Sequence, residues 1–214
     1  GAPSSIQQVT AVRDVVHDLA PPGLTVAVTG PTATITDLAL ETEHSVLRIT
    51  IVTIGLISLI LLLIYRSIAA PLIILTTVGL ALGLSRAVTA WCGMTGVFTV
   101  STFSGSFLTA VVLGAGTDYA VFLVSRYQEF RREGVPPAEA ARQTTTRIGG
   151  VIVGSGLTVV LATGCLLLAD LGFFRTTGPA VATSVAVTLL VAITLTPALL
   201  ALAGRRGWAE PRRS

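Results

Sequence analysis

The sequence predicts an all-α polytopic membrane protein with five transmembrane helices, preceded by a short segment of mixed helix and strand. Three observations support this fold class. The chain is 52% hydrophobic and only 12% charged, and its mean hydropathy is +0.82, values that do not fit a soluble domain. The apolar residues fall in five stretches of about 20 residues, the length of helix that crosses a bilayer. All fourteen basic residues are arginines, and most of them lie outside these stretches.

The first 44 residues contain one amphipathic helix followed by one short strand. Between Ser4 and Leu19 the apolar residues recur at steps of three or four, which is typical of a helix with one buried face. Residues 21–23, Pro-Pro-Gly, end this helix, and residues 24–29, LTVAVT, alternate like a half-buried strand. A Gly-Pro break follows, after which the chain is again compatible with helix up to the first span. One helix and one strand cannot form a core alone, so this segment is interpreted as the end of a larger domain.

Five hydrophobic stretches form the predicted transmembrane bundle, over residues 45–204. Each stretch is bounded by arginine, by proline or by a cluster of Gly, Ser and Thr, as expected where helices meet water. A short tail, residues 205–214, follows the last stretch. The five spans cover approximately residues 46–65, 72–91, 103–124, 148–169 and 179–202.

The positions of the arginines predict the orientation, because basic residues near helix ends are retained on the cytoplasmic side. With the carboxyl terminus inside, ten of the fourteen arginines are cytoplasmic, whereas the reverse orientation retains four. Residues 1–44 are therefore expected to be extracytoplasmic and the tail cytoplasmic. The net charge of +3 then reflects topology and not nucleic-acid binding. Residues 128–147 are expected to form an interfacial or solvated helical connection.

Cysteine and histidine usage predicts neither a metal site nor a cofactor. Cys92 and Cys165 lie in different predicted helices, and His17 and His44 are scattered, so no ligand set is recognisable. Both cysteines are interpreted as small buried apolar residues. The chain begins with glycine and its one methionine is Met94, so it is interpreted as a piece of a longer protein or a processed product.

One acid, Asp118, stands inside the third hydrophobic stretch, within GAGTDYAVFLVSRYQE at residues 114–129. It precedes Arg126, the expected cytoplasmic end of the span, by eight residues, or about 12 Å of helix, which places it close to the midplane. Inserting a carboxylate there costs at least ~2.5 kcal/mol, so an intramembrane acid is a candidate functional residue. An acid that exchanges protons at this depth suits a proton carrier. The alternative is that Asp118 only bonds a neighbouring helix.

The residues around Asp118 are small or carry hydroxyl groups. Gly114 and Gly116 lack side chains and allow a second helix to approach, while Thr117 and Tyr119 supply hydroxyls that can bond a carboxylate. Tyr119 points about 100° away from Asp118 around the helix. It is therefore expected to serve a different neighbouring helix.

Two pairs of glycines have the small-xxx-small spacing that lets transmembrane helices pack closely. They are Gly79 with Gly83 in the second span and Gly150 with Gly154 in the fourth. All four are predicted to be helix-packing residues. Arg86, toward the outer end of the second span, is expected to extend its charge to the membrane interface.

Three motifs carry a family resemblance that extends over nearly the whole chain. They are GAGTDYAVFLVSRYQEFRREG at residues 114–134, GSGLTVVLATGCLLLADLGFFRTTGPA at 154–180 and LTPALLALAGRR at 195–206. Together they resemble the first membrane half of the MmpL (mycobacterial membrane protein large) exporters, a branch of the resistance-nodulation-division superfamily. The Gly114-x-x-x-Asp118 spacing is also similar to a motif of patched-like and sterol-sensing relatives.

The resemblance implies twelve spans in two pseudo-repeated halves, each with a large extracytoplasmic domain between its first and second helix. This chain would supply the end of the first porter-like domain and helices two to six. The first helix, most of the first extracytoplasmic domain and the entire second half, helices seven to twelve, would be missing. Asp118 and Tyr119 would occupy an Asp-Tyr pair that forms a proton relay with its counterpart in the tenth helix. Ser184 departs from the family pattern, which commonly has glycine there.

The function expected from this resemblance is part of a proton-motive-force-driven exporter of lipids or other amphiphilic molecules in a bacterial inner membrane. Its partners would be protons, the lipid or amphiphile substrate, the missing second half and the bilayer. The alternative is a sterol-sensing-like or structural module that binds lipid or a partner without transport, which predicts that Asp118→Asn is tolerated. An enzyme is not expected, because an intramembrane aspartyl protease needs two membrane aspartates and carries glycine where Thr117 stands.

Overall fold

The computed structural model describes residues 3–19, 26–65, 67–101 and 103–206, and its regular elements are all helical. Five of the six α-helices contain a segment long and apolar enough to cross a membrane. The predicted all-α polytopic fold is therefore confirmed. The helices are α1 (Pro3–Asp18), α2 (Pro31–Tyr65), α3 (Ala69–Met94), α4 (Ser104–Arg132), α5 (Pro137–Gly164) and α6 (Gly172–Arg205), with a 3₁₀ turn at Cys165–Leu168.

The strand predicted at residues 24–29 is not observed in its described part. Residues 26–29 have no regular secondary structure, and residues 24 and 25 lie outside the described residues. A strand is stable only when its backbone groups pair with a neighbouring strand, and the described part of the chain offers none. Gly30 follows with φ 126°, a conformation that favours glycine.

Helix α2 begins at Pro31, where the fixed φ of proline suits a first helical turn. It continues without a break to Tyr65, so the expectation that the chain runs as helix into the first span is confirmed. Helix α1 packs on the start of α2, and Ala33 and Thr36 are buried there. Arg13 of α1 forms an ion pair with Asp37 of α2, in which Nη2 donates to Oδ2 at 2.7 Å.

Helix α6 is the central helix of the bundle, because it packs against α3, α4 and α5. Helix α2 is peripheral and the least buried of the five membrane-spanning candidates. It packs through its carboxyl-terminal half, where Leu61 is buried and the Tyr65 hydroxyl is hydrogen-bonded to Ser125 Oγ at 2.7 Å. Between Val46 and Leu56 its residues are mostly exposed.

The connection between α4 and α5 is much shorter than the helical connection predicted over residues 128–147. Helix α4 continues to Arg132 and α5 begins at Pro137, so most of the predicted connection belongs to the two long helices. Gly134, with φ 85°, ends α4: its N–H donates to the Arg131 carbonyl, and the Val135 N–H donates to the Phe130 carbonyl.

Two arginines contact the ring of Phe130, Arg126 from the same helix α4 and Arg147 from α5. The guanidinium carbons of Arg126 and Arg147 lie 4.8 and 5.3 Å from the ring centroid of Phe130. Phe130 itself is buried. The cation–π contact of Arg147 therefore links α5 to α4.

Candidate functional site

Helix α4 places Asp118 at its midpoint, fourteen residues from Ser104 and fourteen from Arg132. The surrounding residues form one unbroken helix, so consecutive side chains are separated by about 100°. Asp118 is exposed on the surface of the described chain, whereas Tyr119 is only 6% exposed. The pair therefore presents one acid outward and one phenol ring inward.

The ring of Tyr119 belongs to an apolar cluster between α4, α5 and α6. Its buried neighbours are Leu123 on α4, Ile152 on α5 and Leu189 on α6. A change in the position of Tyr119 would therefore alter its packing against both α5 and α6.

Asp118 lies on an open face of α4 together with Gly114, Phe122 and Ser125. All four residues are exposed, and Phe122 is 64% exposed. Among the described residues Asp118 makes no hydrogen bond and no ion pair. In a bilayer a carboxylate requires water or a polar partner.

The three predicted neighbours of Asp118 have different roles in the structure. A Cβ on Gly114 would meet no atom within 4 Å, because Gly114 is on the open face. A Cβ on Gly116 would lie 3.1 Å from Thr188 Cγ2, so this glycine allows α4 to approach α6 closely. Thr117 Oγ1 donates to the Leu113 carbonyl at 2.6 Å, and its hydroxyl proton is thus used within α4.

The four predicted packing glycines do not lie at close approaches between the described helices. All four are exposed, and a Cβ on any of them would meet no atom within 4 Å: Gly79, Gly83, Gly150 and Gly154. Within the described residues the predicted close packing is therefore not observed. The reason is rotational, since these glycines lie on faces of α3 and α5 that point away from the bundle.

Other glycines make the close approaches. A Cβ on Gly156 would lie 2.9 Å from Leu189 Cδ2, and one on Gly178 would lie 2.6 Å from the carbonyl oxygen of Thr163. The sequence contains a pattern that could have predicted the close approach at Gly156. Gly149 and Gly156 are seven residues apart, share one face of α5, and are both buried.

A row of buried hydroxyls between α3 and α6 was not anticipated from the sequence. Ser85 Oγ donates to the Ser184 carbonyl at 3.1 Å, and the hydroxyls of Thr89 and Ser184 lie 3.3 Å apart. Further along the same interface, Thr196 Oγ1 donates to Thr77 Oγ1 at 3.4 Å. Ser184, the departure from the family pattern, is thus accommodated by a polar contact across the interface.

The two cysteines differ in burial. Cys92 is buried as expected, but Cys165 is exposed, so the interpretation of Cys165 as a buried residue is wrong. Helix α5 ends at Gly164, and Cys165 begins the 3₁₀ turn, whose four residues all have accessible side chains.

A bundle of five helices of membrane-spanning length defines a polytopic membrane protein, and one of these helices carries an ionisable residue at its middle. Comparison with known protein families identifies the family of this chain. The chain belongs to the MMPL family, whose model matches residues 1–214.

Named relatives are mycobacterial transport proteins. The probable transport protein MmpL9 of Mycobacterium tuberculosis is 44% identical over 209 residues, which are 97% of this chain and 22% of the relative. The probable transport protein MmpL4 of Mycobacterium leprae is 41% identical over 209 residues, again 97% of this chain and 22% of the relative. The sulfolipid-1 exporter MmpL8 of Mycobacterium tuberculosis is 38% identical over 214 residues, 100% of this chain and 20% of the relative. The chain thus spans about a fifth of the length of these relatives.

Proposed function

We propose that this chain is part of a proton-motive-force-driven exporter of lipids or other amphiphilic molecules, in which Asp118 and Tyr119 form one half of an intramembrane proton relay. The observation that carries the proposal is the placement of Asp118, at the midpoint of a membrane-spanning helix, on an open face and without a partner among the described residues. The names of the relatives support the transport class, and one of them is a sulfolipid-1 exporter.

The chemistry of the relay follows from the cost of a charge in the membrane. Deprotonated Asp118 requires water or hydrogen-bond donors, whereas protonated Asp118 can lie against an apolar surface at much lower cost. The two protonation states therefore favour different contacts of the open face. A difference of this kind can shift a two-state equilibrium of the helices.

Tyr119 couples this face to the rest of the bundle. Because it lies next to Asp118 and packs against Ile152 and Leu189, a rotation of α4 that moves the carboxylate also moves the contacts with α5 and α6. Rocking of the membrane helices would then be passed to the extracytoplasmic domains, which would move the substrate.

The proposed partner of the open face is the second half of the exporter, helices seven to twelve. Residues 1–44 would be the end of the first extracytoplasmic domain, residues 45–204 the bundle and residues 205–214 a cytoplasmic tail in a bacterial inner membrane. The arginines at the α4–α5 connection support this orientation.

Proton flux through the full-length protein in proteoliposomes tests the proposal, with the pH-sensitive dye pyranine inside and an imposed pH gradient. Asp118→Asn keeps the shape of the side chain and removes its titration, so it is expected to abolish the flux at a near-normal protein level. The matched control is Asp170→Asn, the same change at an exposed loop position. This variant is expected to retain the proton flux. Wild-type flux and export by Asp118→Asn would rule out the relay and favour the lipid-binding module without transport.

A further inference from the structure

Gly116 lies directly behind Asp118 on helix α4. The two residues are about 3 Å apart along the helix axis and about 200° apart around it. Asp118 is exposed on the open face, whereas Gly116 is buried. The distance of α4 from the rest of the bundle at Gly116 therefore decides how far Asp118 projects from the bundle.

Three helices meet at Gly116. A Cβ on this residue would lie 3.1 Å from Thr188 Cγ2 of α6 and 3.5 Å from Val78 Cγ2 of α3. Carbon atoms in favourable contact are about 3.5–4.0 Å apart. The space between α4 and Thr188 therefore does not accept even one added methyl group unless a helix moves.

The two neighbours of Gly116 are held in place. Thr188 Oγ1 donates to the Ser184 carbonyl at 2.7 Å and lies 3.5 Å from Ser85 Oγ. Threonine has a single side-chain torsion, so the hydrogen bond that orients its hydroxyl also orients its methyl group. Thr188 and Val78 are only 1% and 2% exposed, and packed atoms surround both.

Close helix packing alone would explain a glycine at this position, and Gly156 and Gly178 also make close approaches. Gly116 differs from them in lying at the depth of Asp118, on the opposite side of the same helix. Proton transfer requires a donor and an acceptor within hydrogen-bond distance, and a misplacement of about 1 Å can cost about 100-fold in rate. A displacement of α4 at this depth would therefore affect a relay through Asp118.

We propose that Gly116 and Thr188 are positioning residues of the relay. Their contact sets the distance between α4 and α6, and it thereby holds Asp118 within reach of its partner on the open face. This inference rests on the proposed function, because it concerns the same carboxylate. It adds a residue of α6, Thr188, that touches neither Asp118 nor the open face.

Proton flux through the full-length protein in pyranine-loaded proteoliposomes tests this role, with the flux divided by the amount of folded protein from size-exclusion chromatography. Relief of the contact in Gly116→Ala, from 3.1 Å to about 3.5 Å, displaces α4 by about 0.4 Å. At about 100-fold per Å, the flux should fall about sixfold. Gly116→Val adds two more methyl groups and should lower the flux further. If Gly116→Val does not fold, Gly116→Ala alone decides the outcome.

Thr188→Ser provides the rescue. It removes the methyl group that position 116 would meet and keeps the hydroxyl that bonds the Ser184 carbonyl. The double variant Gly116→Ala/Thr188→Ser is therefore expected to recover most of the flux that Gly116→Ala loses.

Two glycine variants separate positioning from general loss of stability. Gly178→Ala places a methyl group 2.6 Å from the Thr163 carbonyl oxygen, but it lies ten residues before Thr188 on α6, or about 15 Å along the helix. It should lower the thermal unfolding midpoint and keep the flux per folded protein near that of the wild type. Gly105→Ala adds a methyl group to α4 in open space and should match the wild type in both measurements.

Wild-type flux per folded protein in the Gly116 variants, with Asp118→Asn inactive, would overturn the positioning role and leave the relay intact. A reduced flux that Thr188→Ser does not recover would show that the contact with α6 is not the cause, and it would also overturn this role. Wild-type flux in Asp118→Asn would instead overturn the proposed function on which the inference rests.

Discussion

Asp118 and Tyr119 are adjacent in the chain but face opposite environments, because the carboxylate lies on the open face of α4 while the phenol ring is buried against α5 and α6. One helix therefore connects an exposed acid to the packed interior. A change of charge or contact at Asp118 that moves α4 also moves Tyr119, and with it the packing against α5 and α6.

Tyr119→Phe is expected to reduce proton flux without unfolding the protein. The ring stays in the cluster with Leu123 and Leu189, so the thermal unfolding midpoint should remain near that of the wild type, while the hydroxyl proposed for the relay is lost. Pyranine flux and thermal unfolding measured on the same preparation check this. Tyr65→Phe is the matched control, since it loses a hydrogen bond to Ser125 and should conduct protons normally. Undiminished proton flux in Tyr119→Phe would show that the Tyr119 hydroxyl is not part of the relay.

The existence of five helices of spanning length and the position of Asp118 in the middle of one of them could be predicted because both depend on local properties of the chain. Helix length and apolar content are read directly from the sequence. The packed faces could not be predicted in the same way. Lipid-facing and buried residues of a membrane helix are similarly apolar, so periodicity does not mark the interior. Gly150 and Gly154 therefore resembled packing residues as much as Gly149 and Gly156 did.

The prediction of a strand at residues 24–29 failed for a different reason than the prediction of the packed helix faces. Alternating apolar and polar residues indicate that a segment can form a strand, but pairing requires a neighbouring strand, which is often distant in sequence. The hydroxyl row between α3 and α6 was missed because Ser and Thr are common in membrane helices, where their hydroxyls often bond the preceding turn. Only the contact across the interface distinguishes Ser85 and Thr89 from such residues.

Gly178→Ala is expected to destabilise the protein by roughly 1–3 kcal/mol, the usual cost of overpacking. The new methyl group would lie 2.6 Å from the Thr163 carbonyl oxygen and 2.5 Å from Leu166 Cβ, and a backbone atom cannot move aside cheaply. Gly150→Ala is the control, because open space surrounds that position. Thermal unfolding in detergent measures both variants. Equal midpoints for the two would contradict the close approach of α6 to the end of α5.

The contact between α1 and α2 is expected to depend on pH through the Arg13–Asp37 ion pair. The hydrogen bond from Arg13 lowers the pKa of Asp37 below its ordinary value of 3.8, and desolvation opposes this effect. A lowered pKa means that the stabilisation is present above the unfolded pKa and is lost as the pH falls through the folded value. Both side chains are partly exposed, so the effect is small and screened by salt.

Hydrogen exchange of the α1 amides measures this dependence. Exchange in α1 is expected to quicken on acidification, after correction for intrinsic rates, and Asp37→Asn should remove the pH dependence and leave α1 less protected at neutral pH. Asp14→Asn is a control on the same helix. Identical pH profiles for the wild type and Asp37→Asn would show that the ion pair does not hold α1.

Cysteine labelling in whole cells tests the orientation predicted from the arginines. In a background without Cys92 and Cys165, Gln8→Cys should react with a membrane-impermeant maleimide from outside. Glu133→Cys, in the turn between α4 and α5, should react only after the cells are permeabilised. Labelling of Glu133→Cys in intact cells would reverse the orientation.

The last prediction is that these 214 residues, reconstituted alone, do not conduct protons. A relay needs successive groups across the membrane, yet besides Asp118 no acid, histidine or lysine stands near the middle of any of the five hydrophobic stretches. The open face around Asp118 must also be covered, because lipid cannot satisfy a carboxylate. In proteoliposomes with an imposed pH gradient the chain alone should therefore give no flux above that of its Asp118→Asn variant, and flux should return when the second half is supplied in the same membrane. A clear flux through the chain alone that Asp118→Asn eliminates would show that the relay is complete within these residues, and the proposed role of a second half would then be wrong.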